Sequence, residues 1–279
     1  MTHKLSSSSS IAVRIGFAAV ALSAAFSAGA ALPSFSLDPG AVGLNGGRVD
    51  ADNFIVADYS TTKFLSATIL QEAGFLPVVG FQLGGNTVTA TGLGAADGSG
   101  YGLYIAYAAV ETLDSPALPG SGSFVSLAYT LYGYNGAPAT FGVSATDDTT
   151  ISTPSAPIKL ASGSLIKGDI GTSNTGMLSA TALISFVPDA AGAAFFGAPA
   201  SFYPTAVASF SNSMFTVTPL LTGFRITQGS GQFGFAAAPV PEPAAYALML
   251  VGLTTLGFAV RRRRSEDLEN RPAGAQTRR

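Results

Sequence analysis

The side chains available for chemistry in this chain are carboxylates, hydroxyls and tyrosines. The 279 residues include no cysteine and one histidine, His3, which lies in a leader with the marks of an export signal. Without them the exported body has no Ser-His-Asp or Cys-His nucleophile and no zinc site of the usual nitrogen and sulfur type. Gly84-Gly85 and Gly100-Tyr101-Gly102 form no phosphate loop, because no helix pattern and no Gly-Lys-Ser/Thr follows them. Carboxylate-pair chemistry of the glycosidase kind remains, and residues 31–238 offer two glutamates for it, Glu72 and Glu111. Nothing in their neighbourhood marks either as a buried acid, so the reading is of solvated carboxylates, with no catalytic residue and no cofactor assigned.

Two further groupings have ligand character. Asp50 and Asp52, and again Asp147 and Asp148, place hard oxygens close together in loop-like sequence, as calcium requires. No twelve-residue loop ending in glutamate surrounds them, and loop aspartates commonly bond their own backbone. Asp50 and Asp52 therefore stand as weak calcium candidates, with no metal site assigned. Among the tyrosines, Tyr104, Tyr132 and Tyr134 leave the core by alternation and are candidates for stacking on a sugar ring. The chain has no tryptophan, and tyrosine is an ordinary strand residue.

The elements that would carry these residues are strands. Runs of β type at 53–59, 63–71, 75–83, 86–91, 101–111, 122–134, 139–145, 158–165, 177–187, 201–210, 214–218, 223–228 and 232–235 alternate with clusters of Gly, Pro, Asp and Asn. That spacing predicts an all-β, antiparallel, sandwich-like domain. Period two is clearest in two runs. In 101–110, Tyr101, Leu103, Ile105 and Tyr107 share a face; in 123–131, Val125, Leu127, Tyr129 and Leu131 point to the core. The linker 112–121, with two prolines, suits a crossover between sheets, and the body shows no helix signal except an ambiguous one at 64–73. Between residues 31 and 240 five basic side chains face twelve acidic ones. A surface so acidic excludes nucleic acid as a partner.

The two ends are of a different character. At the N-terminus, Lys4 and Arg14 precede a short apolar run, and Ala28 and Ala30 supply the small residues a signal peptidase reads, so residues 1–30 form a signal peptide cleaved after Ala30. At the other end Pro241, Glu242 and Pro243 lead into an uncharged apolar span, 244–260, and then Arg261, Arg262, Arg263 and Arg264. The prolines stiffen an extended stretch, the span reaches roughly 25 Å as a helix, and the arginines belong on the cytoplasmic side. Residues 265–279 form a polar cytoplasmic extension.

This tripartite tail, 239–264, resembles the PEP-CTERM sorting signal of Gram-negative bacteria that make exopolysaccharide. The resemblance implies that a membrane-embedded exosortase recognises the signal and processes the protein near Pro-Glu-Pro, leaving it at the cell surface or in the extracellular matrix. Segments at Phe35–Gly40, Ala51–Phe54, Asp58-Tyr59 and Gly100–Tyr107 are also similar to the flocculation-associated branch of these proteins. The expectation is a non-enzymatic exported protein associated with exopolysaccharide, biofilm or floc. The alternatives are a carbohydrate-binding module with a tyrosine-lined face and an exported hydrolase using Glu72 or Glu111.

Overall fold

The computed structural model describes residues 33–115, 120–172, 178–199, 202–212 and 216–236. In chain order its strands are β1 (Phe35–Leu37), β2 (Val49–Ala51), β3 (Asn53–Phe64), β4 (Ile69–Leu83), β5 (Asn86–Val88), β6 (Tyr101–Leu113), β7 (Gly120–Asn135), β8 (Thr140–Val143), β9 (Thr149–Ser152), β10 (Ile158–Thr172), β11 (Leu178–Ser185), β12 (Val187–Pro188), β13 (Phe196–Ala198), β14 (Thr205–Asn212), β15 (Val217–Leu220) and β16 (Gly223–Ala236). Helix α1 spans Ala190–Phe195.

The expected all-β antiparallel domain is present, and its two broad faces belong to one closed surface. Strands pair in the order β11-β14-β16-β3-β4-β6-β7-β10, and β10 pairs again with β11, from Leu165↔Ile184 to Thr172↔Leu178. Eight long strands, each antiparallel to the next one along the chain, thus make an up-and-down barrel. The 112–121 linker joins a hairpin and makes no crossover, since β6 and β7 pair directly from Tyr101↔Asn135 to Leu113↔Gly122.

Alternation places Phe54, Val56, Asp58, Ser60 and Thr62 of β3 inside, and Tyr101, Leu103, Ile105, Tyr107, Ala109 and Glu111 of β6. On β7 the expected set is broken by a bulge: Val110 pairs Ser126 while Glu111 pairs Phe124, leaving Val125 unopposed and 62% exposed. Phe124 takes the inward place instead, against the Cβ-less backbone of Gly168. The 63–71 run is likewise two strands and a turn, in which Ser66 Oγ accepts from the amides of Thr68 and Ile69. A helix also appears where none was expected. Asp189 caps α1 by accepting from Ala191 N and Gly192 N at 3.1 and 3.0 Å, and the alanines that follow favour helix.

One end of the barrel is filled with rings. The small sheet β13-β1-β2 and α1 close it, bringing Phe35, Phe196 and Phe202 onto Phe54, Phe186 and Phe235. Phe35 stacks on Phe54 at 5.1 Å, and Phe202 meets Phe235 edge-on at 4.7 Å. Outside the barrel, the β8–β9 hairpin lies over β3, with Phe141 stacked on Tyr59 at 4.1 Å and Asp147 paired with Arg225.

Substitutions on β7 separate bulge from simple alternation. Leu131→Ala, removing a side chain 2% exposed, is expected to cost about 2–5 kcal/mol in urea unfolding. Val125→Ser is expected to stay within about 0.5 kcal/mol of the parent, whereas a core position would lose several times that.

Candidate functional site

The other half of the lumen is hollow. Ala180, Ala208 and Gly223 lie in its lining among larger apolar side chains. The result is a cavity of about 420 Å³, walled mostly by Leu76, Ile105, Leu127, Ile184, Phe210 and Ile226. It reaches the barrel rim at Phe64, which is 49% exposed. A largely apolar space of this size, with a few convergent polar groups, is the form that small-ligand sites take.

The polar groups gather on one wall. Asp58 from β3, Glu72 from β4, Tyr107 and Glu111 from β6 and Asn212 from β14 all line the cavity. The Tyr107 hydroxyl donates to Glu72 Oε1 at 2.7 Å and lies 3.3 Å from Asp58 Oδ1. One hydroxyl hydrogen cannot serve both fully, and the shorter contact takes it. Asn212 Nδ2 donates to Asp58 Oδ2 at 3.3 Å. The Glu111 carboxyl is hydrogen-bonded to Glu72. Gly229 makes the arrangement possible, since a Cβ there would fall 1.8 Å from Asn212 Oδ1 and 2.8 Å from Asp58 Cβ.

Two of the acids are held in their protonated range. Burial, reinforced by the charge of Glu72, pushes Asp58 up to about 7, against the bonds it accepts from its neighbours. Burial and then Glu72 push Glu111 up to about 9. The Tyr107 hydroxyl is raised well above its ordinary value by burial and by the carboxylates beside it. No lysine, arginine or histidine is among the described residues lining the cavity. On the same wall Asn212 Oδ1 is buried with no hydrogen-bond partner among the described residues.

Glu72 and Glu111, read from sequence as solvated, are therefore drawn together inside the barrel, Glu111 at 5% exposure. Asp58 was not foreseen, although it shares the parity of Phe54 and Val56. The calcium candidates separate. Asp50 is exposed, 3.9 Å from Arg48 Nε, while Asp52 is buried and accepts from Gly84 N at 2.6 Å. Asp148 binds Lys63 and Thr146. Among the described residues no group of three or more acidic side chains is placed to hold a metal ion. Tyr104, Tyr132 and Tyr134 do come together on the outer face, with Tyr104 stacked on Tyr132 at 5.2 Å. Tyr104 and Tyr134 are buried there, 5% and 4% exposed, and Tyr134 Oη accepts from Ala139 N, so Tyr132 alone of the three offers a half-open ring.

Ala28, Ala30, Pro241, Glu242, Pro243 and Arg261 to Arg264 lie outside the described residues. For the tail, comparison with known families is decisive: residues 239–264 match the model of the PEP-CTERM protein-sorting motif. The chain carries a PEP-CTERM motif. Such a motif implies export, recognition by an exosortase and delivery to the cell surface. The PEP-CTERM match leaves the barrel unassigned, and no curated protein and no solved structure matches the chain. Among the described residues no helix is long and apolar enough to cross a membrane.

The lumenal acids set the direction of the barrel's pH dependence. Asp58 and Glu111 hold protons more tightly folded than unfolded, so folding takes up protons and stability falls as pH rises from the ordinary carboxylate range through about 7 and about 9. Thermal melts should therefore give a higher midpoint at pH 5 than at pH 8.5. Glu111→Gln, which keeps a donor toward Glu72, is expected to gain on the order of 1–3 kcal/mol at pH 8.5 and almost nothing at pH 5. An identical gain at both pH values would place Glu111 in water.

Proposed function

We propose that this is a non-enzymatic surface protein of a Gram-negative bacterium, processed by an exosortase and held in an exopolysaccharide-rich matrix that supports biofilm or floc formation. The observation that carries the reading is the PEP-CTERM match at 239–264, placed after a compact unit, Ala31–Ala238, that has no cysteine to oxidise. In this reading signal peptidase cleaves after Ala30. The 244–260 span then anchors the protein with Arg261 to Arg264 on the cytoplasmic side, and exosortase acts near Pro241-Glu242-Pro243. The similarity to flocculation-associated proteins belongs to the same proposal. A disulfide-free closed barrel with an acidic surface suits a structural component outside the cell.

The hydrolase alternative has one observation in its favour, the meeting of Glu72 and Glu111. Their contact argues against it. A glycosidase pair stands far enough apart to hold an anomeric carbon or a water between the two carboxyls, whereas these are hydrogen-bonded to each other. The carbohydrate-binding alternative is weakened by the burial of Tyr104 and Tyr134, which leaves no open row of rings.

The sorting step is tested by replacing Pro241, Glu242 and Pro243 with alanine in the native host. Fractionation is expected to find the variant uncleaved in the inner membrane, with the parent in the surface and matrix fractions. Equal release of both proteins would refute exosortase sorting. Loss of surface protein without any change in floc or biofilm mass would refute the matrix role alone.

A further inference from the structure

The lumenal wall has more acceptors than donors. Asp58, Glu72 and Glu111 bring six carboxyl oxygens, and Asn212 Oδ1 adds a buried acceptor with no partner. Against these stand the hydroxyl of Tyr107, the two hydrogens of Asn212 Nδ2 and the one proton each that Asp58 and Glu111 hold, five hydrogens for seven oxygens. Among the described residues no basic side chain lines the cavity to make up the difference. Buried acceptors left in this state cost free energy, and a group that supplies hydrogens and positive charge together would remove the deficit. A carboxylate, phosphate or sulfate would worsen it, and an alcohol brings one hydrogen and no charge. The remaining walls accept only an apolar body, and the rim beside the opening carries Phe64, with Leu65 and Leu221 exposed at 59% and 102%.

We infer that the lumen binds an organic cation, a primary or secondary amine on an apolar body, with its nitrogen seated against Asp58, Glu72 and Glu111 and its carbon skeleton along Leu76, Ile105 and Ile226. The ammonium donates to carboxylate oxygens and to Asn212 Oδ1, and the hollow of about 420 Å³ takes the skeleton. Each seat on the polar wall comes from a different part of the chain, so the site exists only in the closed barrel. Binding is linked to protons. Asp58 and Glu111 must ionise to receive the cation, so protons leave as the amine enters, and affinity rises from pH 6 to pH 8 while the amine itself stays charged. The groups facing this pocket from the surrounding strands are Asp58, Glu72, Tyr107, Glu111, Tyr129 and Asn212, and none of them is basic.

The test is isothermal titration of the full chain in lipid nanodiscs, with empty nanodiscs as the blank. Three eight-carbon probes serve as ligands: octylamine, octan-1-ol and octanoate. Octylamine is expected to saturate one site, to bind at least about tenfold more tightly than octanol and to bind more tightly at pH 8 than at pH 6. Its heat should vary with the ionisation enthalpy of the buffer, as proton release requires, and octanoate should give none. The double variant Glu72→Gln/Glu111→Gln is expected to lose at least about tenfold for octylamine while octanol is unchanged. Its thermal midpoint at pH 8 should equal or exceed the parent's, which separates lost recognition from lost folding. Octanol or octanoate binding as tightly as octylamine overturns the proposal. So does an unchanged amine affinity in the double variant, or the absence of saturable binding to a chain with an intact melt.

Discussion

The pairing of β16 with β3 is the contact on which the rest of the molecule depends. Each of the other long strands lies beside its neighbour in the chain, and such meanders form through local hairpins. Gly223 to Gly234 of β16, the last barrel strand, against Asn53 to Lys63 of β3, the first, completes the circuit. Without that seam the sheet would present two long edges, each a row of unpaired amides and carbonyls open to another chain. With it the backbone is satisfied all the way round, in a protein that has no disulfide to hold the ends of the sheet together. The same closure fixes the interior width, because eight strands leave room for side chains or for one small ligand.

Which of those two fillings occurs is decided locally by side-chain size. Toward the cap, Phe54, Phe233, Phe235 and Phe186 face inward, and β1, β13 and α1 add further rings, so that end is a conventional close-packed core. Toward the rim the wall is lined by aliphatic and small side chains such as Leu76, Ile105, Ala180 and Ala208 with a few polar ones, and it encloses empty volume. Gly229 shapes the polar part, since the Asn212 amide occupies the place a side chain there would take. The contrast between the ends lies in the residues and owes nothing to the number of strands.

Much of the strand content was legible because period two survives in β3 and β6, where Phe54-Val56 and Leu103-Ile105 mark the inner face without interruption. Closure was not legible, since no local signal records which strand meets the first one. Bulges were hidden for a related reason. Val125 read as an inward residue, yet it, like Val79 on β4, is the unopposed member of a shifted register and stands more than 60% exposed. Two elements of the site were available to a stricter reading. Asp58 keeps step with Phe54 and Val56, and Glu111 with Ile105 and Tyr107, so each is an acid on a face otherwise given to the core. Glu72 was obscured by the turn at 65–68, which a continuous strand reading runs straight through. Their meeting is a property of register across β3, β4 and β6, and register is not written in any one strand.

Two buried carboxyls, Asp58 and Glu111, beside the half-buried Glu72 are a burden for a barrel of this kind. Two buried acids at one level repel each other, and apolar replacements of similar volume commonly stabilise such sites. The outer surface shows that the sequence has an easier use for acids: Asp147 and Asp148 lie outside, paired with Arg225 and Lys63. The lumenal group has no such partner, although a single inward lysine on a neighbouring strand would supply one. Residues that lower stability in this way are retained where activity or recognition needs them. The lumen, with its unpaired Asn212 oxygen and its hollow, is therefore where the exported body departs from a plain scaffold. The PEP-CTERM motif bears on location, and a reason for keeping these acids must be sought in the barrel's interior.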